Sequence, residues 1–337
     1  VCSEFTGARE PDPQPTLTKS GYPLTSPAYR IIGILLAICA AVFFSFKSIL
    51  IKLAYTYPVD AVTLIALRMI FSLPFFIAVA VWSRRDHTLA PVSRRDGRAI
   101  LALGFSGYYV SSFLDFMSLQ LVSASLERLI LFLYPTMVLL ISVFLLKRRA
   151  SRRELVALFC SYAGIVLVFV NDLNSGISNR NVALGGALVF GSALLYALYL
   201  VASADTISRI GAARFTAYAM TVACLCVIAQ FLLLHQVSTL ILPWQIYAYG
   251  ASIALFSTVL PIFMISEALR RIGAMNVSML GALGPIATIF GDIWIIGAPL
   301  TIWQVGGSIM VLAGVWIISS QAQKKPITAN LVETQEV

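Results

Sequence analysis

Along this chain apolar residues gather into long blocks set apart by brief polar clusters. The hydrocarbon core of a bilayer, about 30 Å thick, takes roughly 20 apolar residues in helical form. By that measure ten segments qualify: 31–54, 59–82, 99–119, 124–146, 154–171, 183–207, 213–234, 246–268, 274–296 and 300–320. Most are parted by tight punctuation such as Tyr57-Pro58, Ser93-Arg94-Arg95-Asp96-Gly97 and Gly297-Ala298-Pro299. The pattern predicts an all-α integral membrane protein with ten transmembrane helices.

Composition strengthens that reading. Of 337 residues, 59% are hydrophobic and 12% charged, and the mean hydropathy is +0.88. A soluble domain carries about a quarter of its residues charged, so a soluble enzyme, a nucleic-acid binder and a disordered chain are excluded. The net charge of +9 is a matter of placement. With a cytoplasmic amino terminus, 19 of the 24 Lys and Arg fall in inside segments and Arg180 alone outside, the other four (Lys47, Lys52, Arg68, Arg128) lying within spans. Cytoplasmic loops carry such an excess, so both termini are expected inside, in the inner (plasma) membrane. Residues 1–30, with Pro11, Pro13, Pro15, Pro23 and Pro27, read as a disordered cytoplasmic tail lacking the apolar core of a signal peptide, and 321–337 as a second tail.

The chain repeats itself. A shift of 150 residues lays 119–168 over 269–318, matching Ala124 to Ala274, Pro135 to Pro285, Ser151 to Thr301 and Gly164 to Gly314. Near the start of each half the shift is 152, placing Gly33 over Gly185 and Ala41 over Ala193. This divides the protein into a first repeat, 31–171, an extracytoplasmic linker, 172–182, and a second repeat, 183–320. Five spans per half is an odd number, so the two five-helix repeats have inverted topology, an architecture common among secondary transporters.

These features together resemble the drug/metabolite transporter superfamily in its EamA-like branch, over about residues 31–320. Arg68 in LIALRMIF and the run EALRRIGAMNVSMLGALGP (267–285) are similar to that family's second-helix and eighth-to-ninth-helix patterns. The resemblance implies an exporter or exchanger whose central cavity is lined mainly by helices 1, 3, 4, 6, 8 and 9. Arg148 and Ala298 stand where many relatives have a Glu after the fourth and ninth helices.

Charges within a bilayer cost about 2.5–3.5 kcal/mol each on insertion scales and so invite functional readings. Lys47, Arg68, Asp115, Glu127, Arg128 and Asp292 all fall in the outer half: three cations against three anions. For Glu127, Arg128 and Lys52, near a span boundary, interfacial snorkelling is the simpler account. Asp115, Glu127 and Asp292 are the candidates for a gate or proton coupling. Pro135 and Pro285 break matched helices, the pattern that points to a midplane site. On helix 9, Ser278, Gly281, Pro285, Thr288 and Asp292 share one stripe; on helix 3, Tyr108, Ser111, Ser112 and Asp115 lie together. Packing by small and hydroxyl residues would give the same stripes. Tyr109, Tyr134, Tyr196, Tyr199 and Trp294 are aromatic candidates for stacking on a solute, whereas Trp244, Tyr247, Tyr249 and Trp303 suit the interface.

The expected transport pathway comprises Lys47, Arg68, Tyr109, Ser112, Asp115, Tyr134, Pro135, Tyr199, Pro285, Thr288 and Asp292. Neither the five scattered cysteines nor His87 and His235 form a metal or redox motif, and no phosphate loop appears, so no cofactor, metal or catalytic residue is expected. The function expected is secondary (non-ATP) transport of a small organic metabolite, such as an amino acid, outward or in exchange, by alternating access. An integral membrane enzyme acting on a lipid-linked substrate is the alternative. Expected partners are the solute, membrane lipids and protons as coupling ion, with a homodimer left open and no nucleic acid.

Overall fold

A computed structural model describes residues 27–83, 91–145, 151–173, 179–281, 283–297 and 301–322; the two tails expected at 1–30 and 321–337 lie almost wholly outside them. Every regular element among the described residues is helical: α1 (Pro27–Ala54), α2 (Ala61–Ser83), α3 (Arg94–Leu103), α4 (Ser111–Ser118), α5 (Ala124–Leu131), α6 (Tyr134–Leu145), α7 (Arg152–Leu173), α8 (Asn179–Ile210), α9 (Ala212–Leu234), α10 (Trp244–Ala254), α11 (Leu260–Gly281), α12 (Leu283–Gly291) and α13 (Ile302–Ala322). Eight helical stretches are long and apolar enough to cross a membrane, and two shorter apolar ones, Leu283–Ile296 and Ile302–Ile317, complete the bundle. Large apolar side chains face outward (Phe144 78% exposed, Leu233 86%), as lipid solvent allows.

Local sequence explains where helices begin. Asp60 caps α2, accepting from Val62 N at 2.9 Å. Ser93 and Asp96 form a reciprocal capping box at the start of α3. Ser151 and Glu154 do the same for α7, with Ser151 N donating to Glu154 Oε2 at 2.7 Å. Thr301 and Gln304 repeat it before α13, Gln304 N donating to Thr301 Oγ1 at 3.3 Å. Such boxes satisfy backbone donors that a helix start leaves orphaned. The box at Thr301 lies 150 residues after the one at Ser151, the spacing of the internal repeat.

Two departures from straight helices also recur at that spacing. A π-helical segment, Gly104–Val110, joins α3 to α4, and another, Leu255–Val259, joins α10 to α11. The fourth apolar block is interrupted by a turn at Phe132 and Leu133, just ahead of Pro135, and in the ninth block Pro285 lies in the first turn of α12. In each case the proline lacks the N–H that would bond four residues back, at Leu131 or Gly281.

The eighth and ninth blocks were expected to separate between 268 and 274, yet the backbone stays helical through Gly281. The chain nevertheless turns back. Phe256 packs on Phe43 with ring centroids 5.9 Å apart, Ile272 and Arg271 press on Gly33, and Ser45 Oγ donates to Gly284 O at 2.7 Å. Positions 33 and 45 are roughly 18 Å apart along α1, so α11 descends past α1 and α12 returns beside it. The stretch RRIGAMN contains no proline to mark the corner.

Packing between the halves is reciprocal. A methyl group on Gly164 of α7 would lie 2.5 Å from the carbonyl of Gly307 in α13, and one on Gly314 of α13 would lie 2.5 Å from the carbonyl of Ala157 in α7. The shift of 150 residues turns one contact into the other, and the pairing runs antiparallel. Likewise α1 packs on α11 and α12, while α8 packs on α4, α5 and α6, the corresponding blocks of the other half.

Candidate functional site

Buried charge gathers where α1, α4 and α5 meet, in the half of the bundle nearer Ala54. Lys47 Nζ lies 2.5 Å from Asp115 Oδ2 and 3.5 Å from Glu127 Oε1. Ser48 Oγ, one residue along α1, donates to Glu127 Oε2 at 2.5 Å. The Glu127 side chain is wholly buried and that of Lys47 12% exposed. One ammonium thus faces two carboxylates in a low-dielectric setting where an unpaired charge is costly. Asp115 Oδ1 and Glu127 Oε1 still have no hydrogen-bond donor, so the triad is incompletely satisfied.

Arg68 reaches the same region from α2. Its Nε donates to Thr258 Oγ1 at 2.9 Å, in the π-helical segment of the second half, and its Cζ stands 5.3 Å from the ring centroid of Phe116, next to Asp115. Asp292 lies elsewhere. Its Oδ2 accepts from Ser125 Oγ, tying the start of α5 to the π-helical end of α12. Nearby, Asp172 accepts from Ser123 N and Oγ, both at 3.0 Å, and Lys52 sits among Asp292, Asp172 and Glu127 without a close ion pair.

The other half of the bundle holds aromatics instead. Tyr199 packs on Tyr108 at 4.8 Å, its hydroxyl donating to that of Tyr108 at 3.2 Å. Tyr196 stacks on Tyr199 at 5.9 Å and meets Tyr134 edge-on at 5.5 Å. Gly107 makes this possible, because any side chain there would overlap Tyr199. Lys47 and Tyr199 are separated by 152 residues, so charge and phenol occupy matching places in the two repeats.

Several expected residues stand apart from these clusters. Tyr109 turns toward Phe105, Cys226 and Gln230 in a surface groove of about 330 Å³. Trp294 is 84% exposed and meets the surroundings of the bundle, not its centre. Thr288 is fully buried against α1, its hydroxyl donating to Gly284 O at 3.2 Å, which is a packing contact. Ser112 is half-buried one turn from Asp115 and forms no hydrogen bond among the described residues, whereas its neighbour Ser111 donates to Ser192 O of α8 at 3.0 Å. Pro135, half-buried, follows the turn at Phe132 and Leu133, and Pro285, buried, lies in the first turn of α12. The residue that sequence reasoning set aside is Arg128. A methyl group on Gly284 would lie 2.8 Å from Arg128 Nη2, so the guanidinium rests against the first turn of α12, not at an interface. Its position directly after Glu127 was the available signal.

A helical bundle with apolar outer surface, two similar halves and a buried charge network is that of a multi-pass membrane protein; the family its sequence matches makes it a transporter of a small-molecule solute in a lipid environment. The profile of the EamA-like transporter family matches residues 31–170 and 183–320, and the chain belongs to that family. It is 28% identical over 295 residues to the uncharacterized transporter YcbK of Bacillus subtilis (strain 168), covering 84% of this chain and 92% of the relative. It is 24% identical over 223 residues to the uncharacterized transporter YyaM of the same strain, covering 66% and 73%. An uncharacterized transporter of Methanothermobacter thermautotrophicus is 26% identical over 304 residues, covering 86% of each chain. One solved crystal structure superposes with a TM-score of 0.60 over 87% of this chain and 98% of the other; at 15% identity that likeness is one of fold.

Proposed function

We propose that the protein is a secondary transporter that carries a small organic metabolite, an amino acid being the leading class, out of the cell or in exchange, by alternating access without ATP. In this reading ten spans form two inverted repeats, 31–171 and 183–320, joined by an extracytoplasmic linker, with both termini on the cytoplasmic side of the inner membrane. The observation that carries it is the reciprocal packing of α7 on α13, where a 150-residue shift converts the Gly164–Gly307 contact into the Gly314–Ala157 contact. Halves related in that way can trade conformations, and the trade moves the opening from one side of the membrane to the other.

Lys47, Asp115 and Glu127 form the outer gate in this reading. While the ammonium bridges both carboxylates, α1, α4 and α5 are held together. Protonation of a carboxylate, or arrival of the solute, weakens the bridge and frees the helices. Asp292, Tyr134, Tyr199, Pro135 and Pro285 flank the route below. No nucleotide takes part, and a homodimer is not required by the site.

Flux in proteoliposomes tests this. Amino acids, nucleosides, sugars and cationic dyes are offered with and without a pH gradient. Saturable uptake of one class, lost in Asp115→Asn or Lys47→Ala, is expected. Asp115→Asn with unchanged flux and unchanged pH dependence removes the proton role. No flux for any class with folded protein shifts weight to an enzyme acting on a lipid-linked substrate.

A further inference from the structure

Resting on the transporter reading, we infer that Arg128, with Tyr134 and Tyr196, forms the anion-binding site for the solute, and that the solute carries a carboxylate.

Three observations converge on this point. The Arg128 guanidinium lies against the first turn of α12, held within contact of the Gly284 backbone, and its Nε is buried with no hydrogen-bond partner. No ion pair closes on it, although Glu127 precedes it in sequence: that carboxylate is taken by Ser48 and Lys47. Arg68, the other deep guanidinium, is already engaged by Thr258 and Phe116. Arg128 is therefore the guanidinium left free in the centre of the bundle among the described residues. Its charge also reaches the phenols of Tyr134 and Tyr196. Both are half-buried, pack edge-on at 5.5 Å, and keep their hydroxyls unbonded among the described residues.

The chemistry of this set is one-sided. A guanidinium offers a planar fork of donors suited to a carboxylate, and two phenols add further donors beside it. A buried cation with no carboxylate in contact, held only by the more distant charges of Glu127 and Asp115, gains when an anion reaches its fork. That gives differential affinity for the carboxylate. The place also suits alternating access, because the fork touches the first turn of α12, beside Pro285, while its own block is interrupted after Leu131. Solute bound here bridges the two halves. Gly284 is part of the site: its backbone leaves the room that the guanidinium occupies, and alanine would displace it.

The experiment uses purified full-length protein in detergent and in proteoliposomes. The probes are matched pairs differing only in charge: L-leucine and L-leucinamide, L-phenylalanine and L-phenylalaninamide, benzoate and benzamide. At least one carboxylate is expected to raise the thermal unfolding midpoint and to be transported, its amide partner doing neither. Arg128→Gln should weaken that effect about 10- to 100-fold, the range for a lost charge-assisted hydrogen bond. Arg128→Lys should retain part of it, and Gly284→Ala should weaken it with the guanidinium still present. The unliganded midpoint of Arg128→Gln should not fall, since an uncompensated buried charge has been removed; a collapsed midpoint overturns the view of Arg128 as unpaired. Amides acting as well as carboxylates overturn the anion site. Saturable flux of a neutral or cationic solute that survives Arg128→Gln overturns the site and leaves the transporter standing. Absence of flux for every solute overturns both.

Discussion

At the scale of single residues, the Lys47 ammonium is the keystone of the buried network, since it alone faces both Asp115 and Glu127. Removing one partner of a buried pair typically costs about 3–5 kcal/mol, because the remaining charge keeps its desolvation penalty. Lys47→Ala leaves two adjacent carboxylates without their cation and is expected to lower the unfolding midpoint sharply. The double variant Lys47→Ala/Asp115→Asn removes the uncompensated charge together with its cause and should recover much of the loss. A double-mutant cycle measured by thermal unfolding in detergent decides this; strictly additive losses would mean that the 2.5 Å contact carries no coupling energy. Lys47 and Asp115 were legible in the sequence because charges deep inside apolar blocks are conspicuous, whereas Glu127, though a gate candidate, shared with Arg128 the simpler reading of interfacial snorkelling. Arg128 was not legible, for a specific reason. The residues before α5 look like an exposed loop, yet Leu119 and Val122 are fully buried, so the apparent span boundary lies within the protein and a residue near it is already deep.

At the scale of elements, the helices themselves followed from apolar block length, while their irregularities did not. A stripe drawn at 3.6 residues per turn loses register where a π-helical segment inserts an extra residue. Across Gly104–Val110 that slip separates two adjacent tyrosines: Tyr108 packs on Tyr199, and Tyr109 turns to the surface groove. Nothing in GFSGYYV marks the change. The α7–α13 contact makes a sharper forecast. Both Gly164 and Gly314 admit a neighbouring carbonyl within 2.5 Å of where a Cβ would stand. Gly164→Leu and Gly314→Leu should therefore each destabilise by about 1–3 kcal/mol or more, as overpacked interiors do, and by similar amounts because the repeat makes the sites equivalent. Gly306→Leu, on the same helix but with open space beyond its Cα, is the control and should leave the unfolding midpoint unchanged. Unequal losses at Gly164 and Gly314 would sink the equivalence of the two contacts.

At the scale of the whole molecule, the ends of the bundle can be told apart by what joins them. Arg209 at the close of α8 pairs with Asp96 at the start of α3 at 2.8 Å, and Arg214 at the start of α9 donates to the carbonyl of Ser83 at the end of α2 at 2.5 Å. Arg271 stacks on Tyr29 at the start of α1, 4.7 Å from the ring centroid. At the opposite end His235 approaches Asp60 at 3.5 Å. Arg209, Arg214 and Arg271 thus share one face, while Arg180 opens α8 on the other, about 45 Å away along a 32-residue helix. Cytoplasmic loops hold the excess of Lys and Arg, so the Arg209 end should face the cytoplasm. In a chain whose own cysteines are replaced, Arg180→Cys should react with a membrane-impermeant maleimide in intact cells. Arg209→Cys should react only once the membrane is opened. Reversed labelling would invert the orientation, carry the Lys47–Asp115–Glu127 gate to the cytoplasmic side, and turn the expected direction of first opening with it.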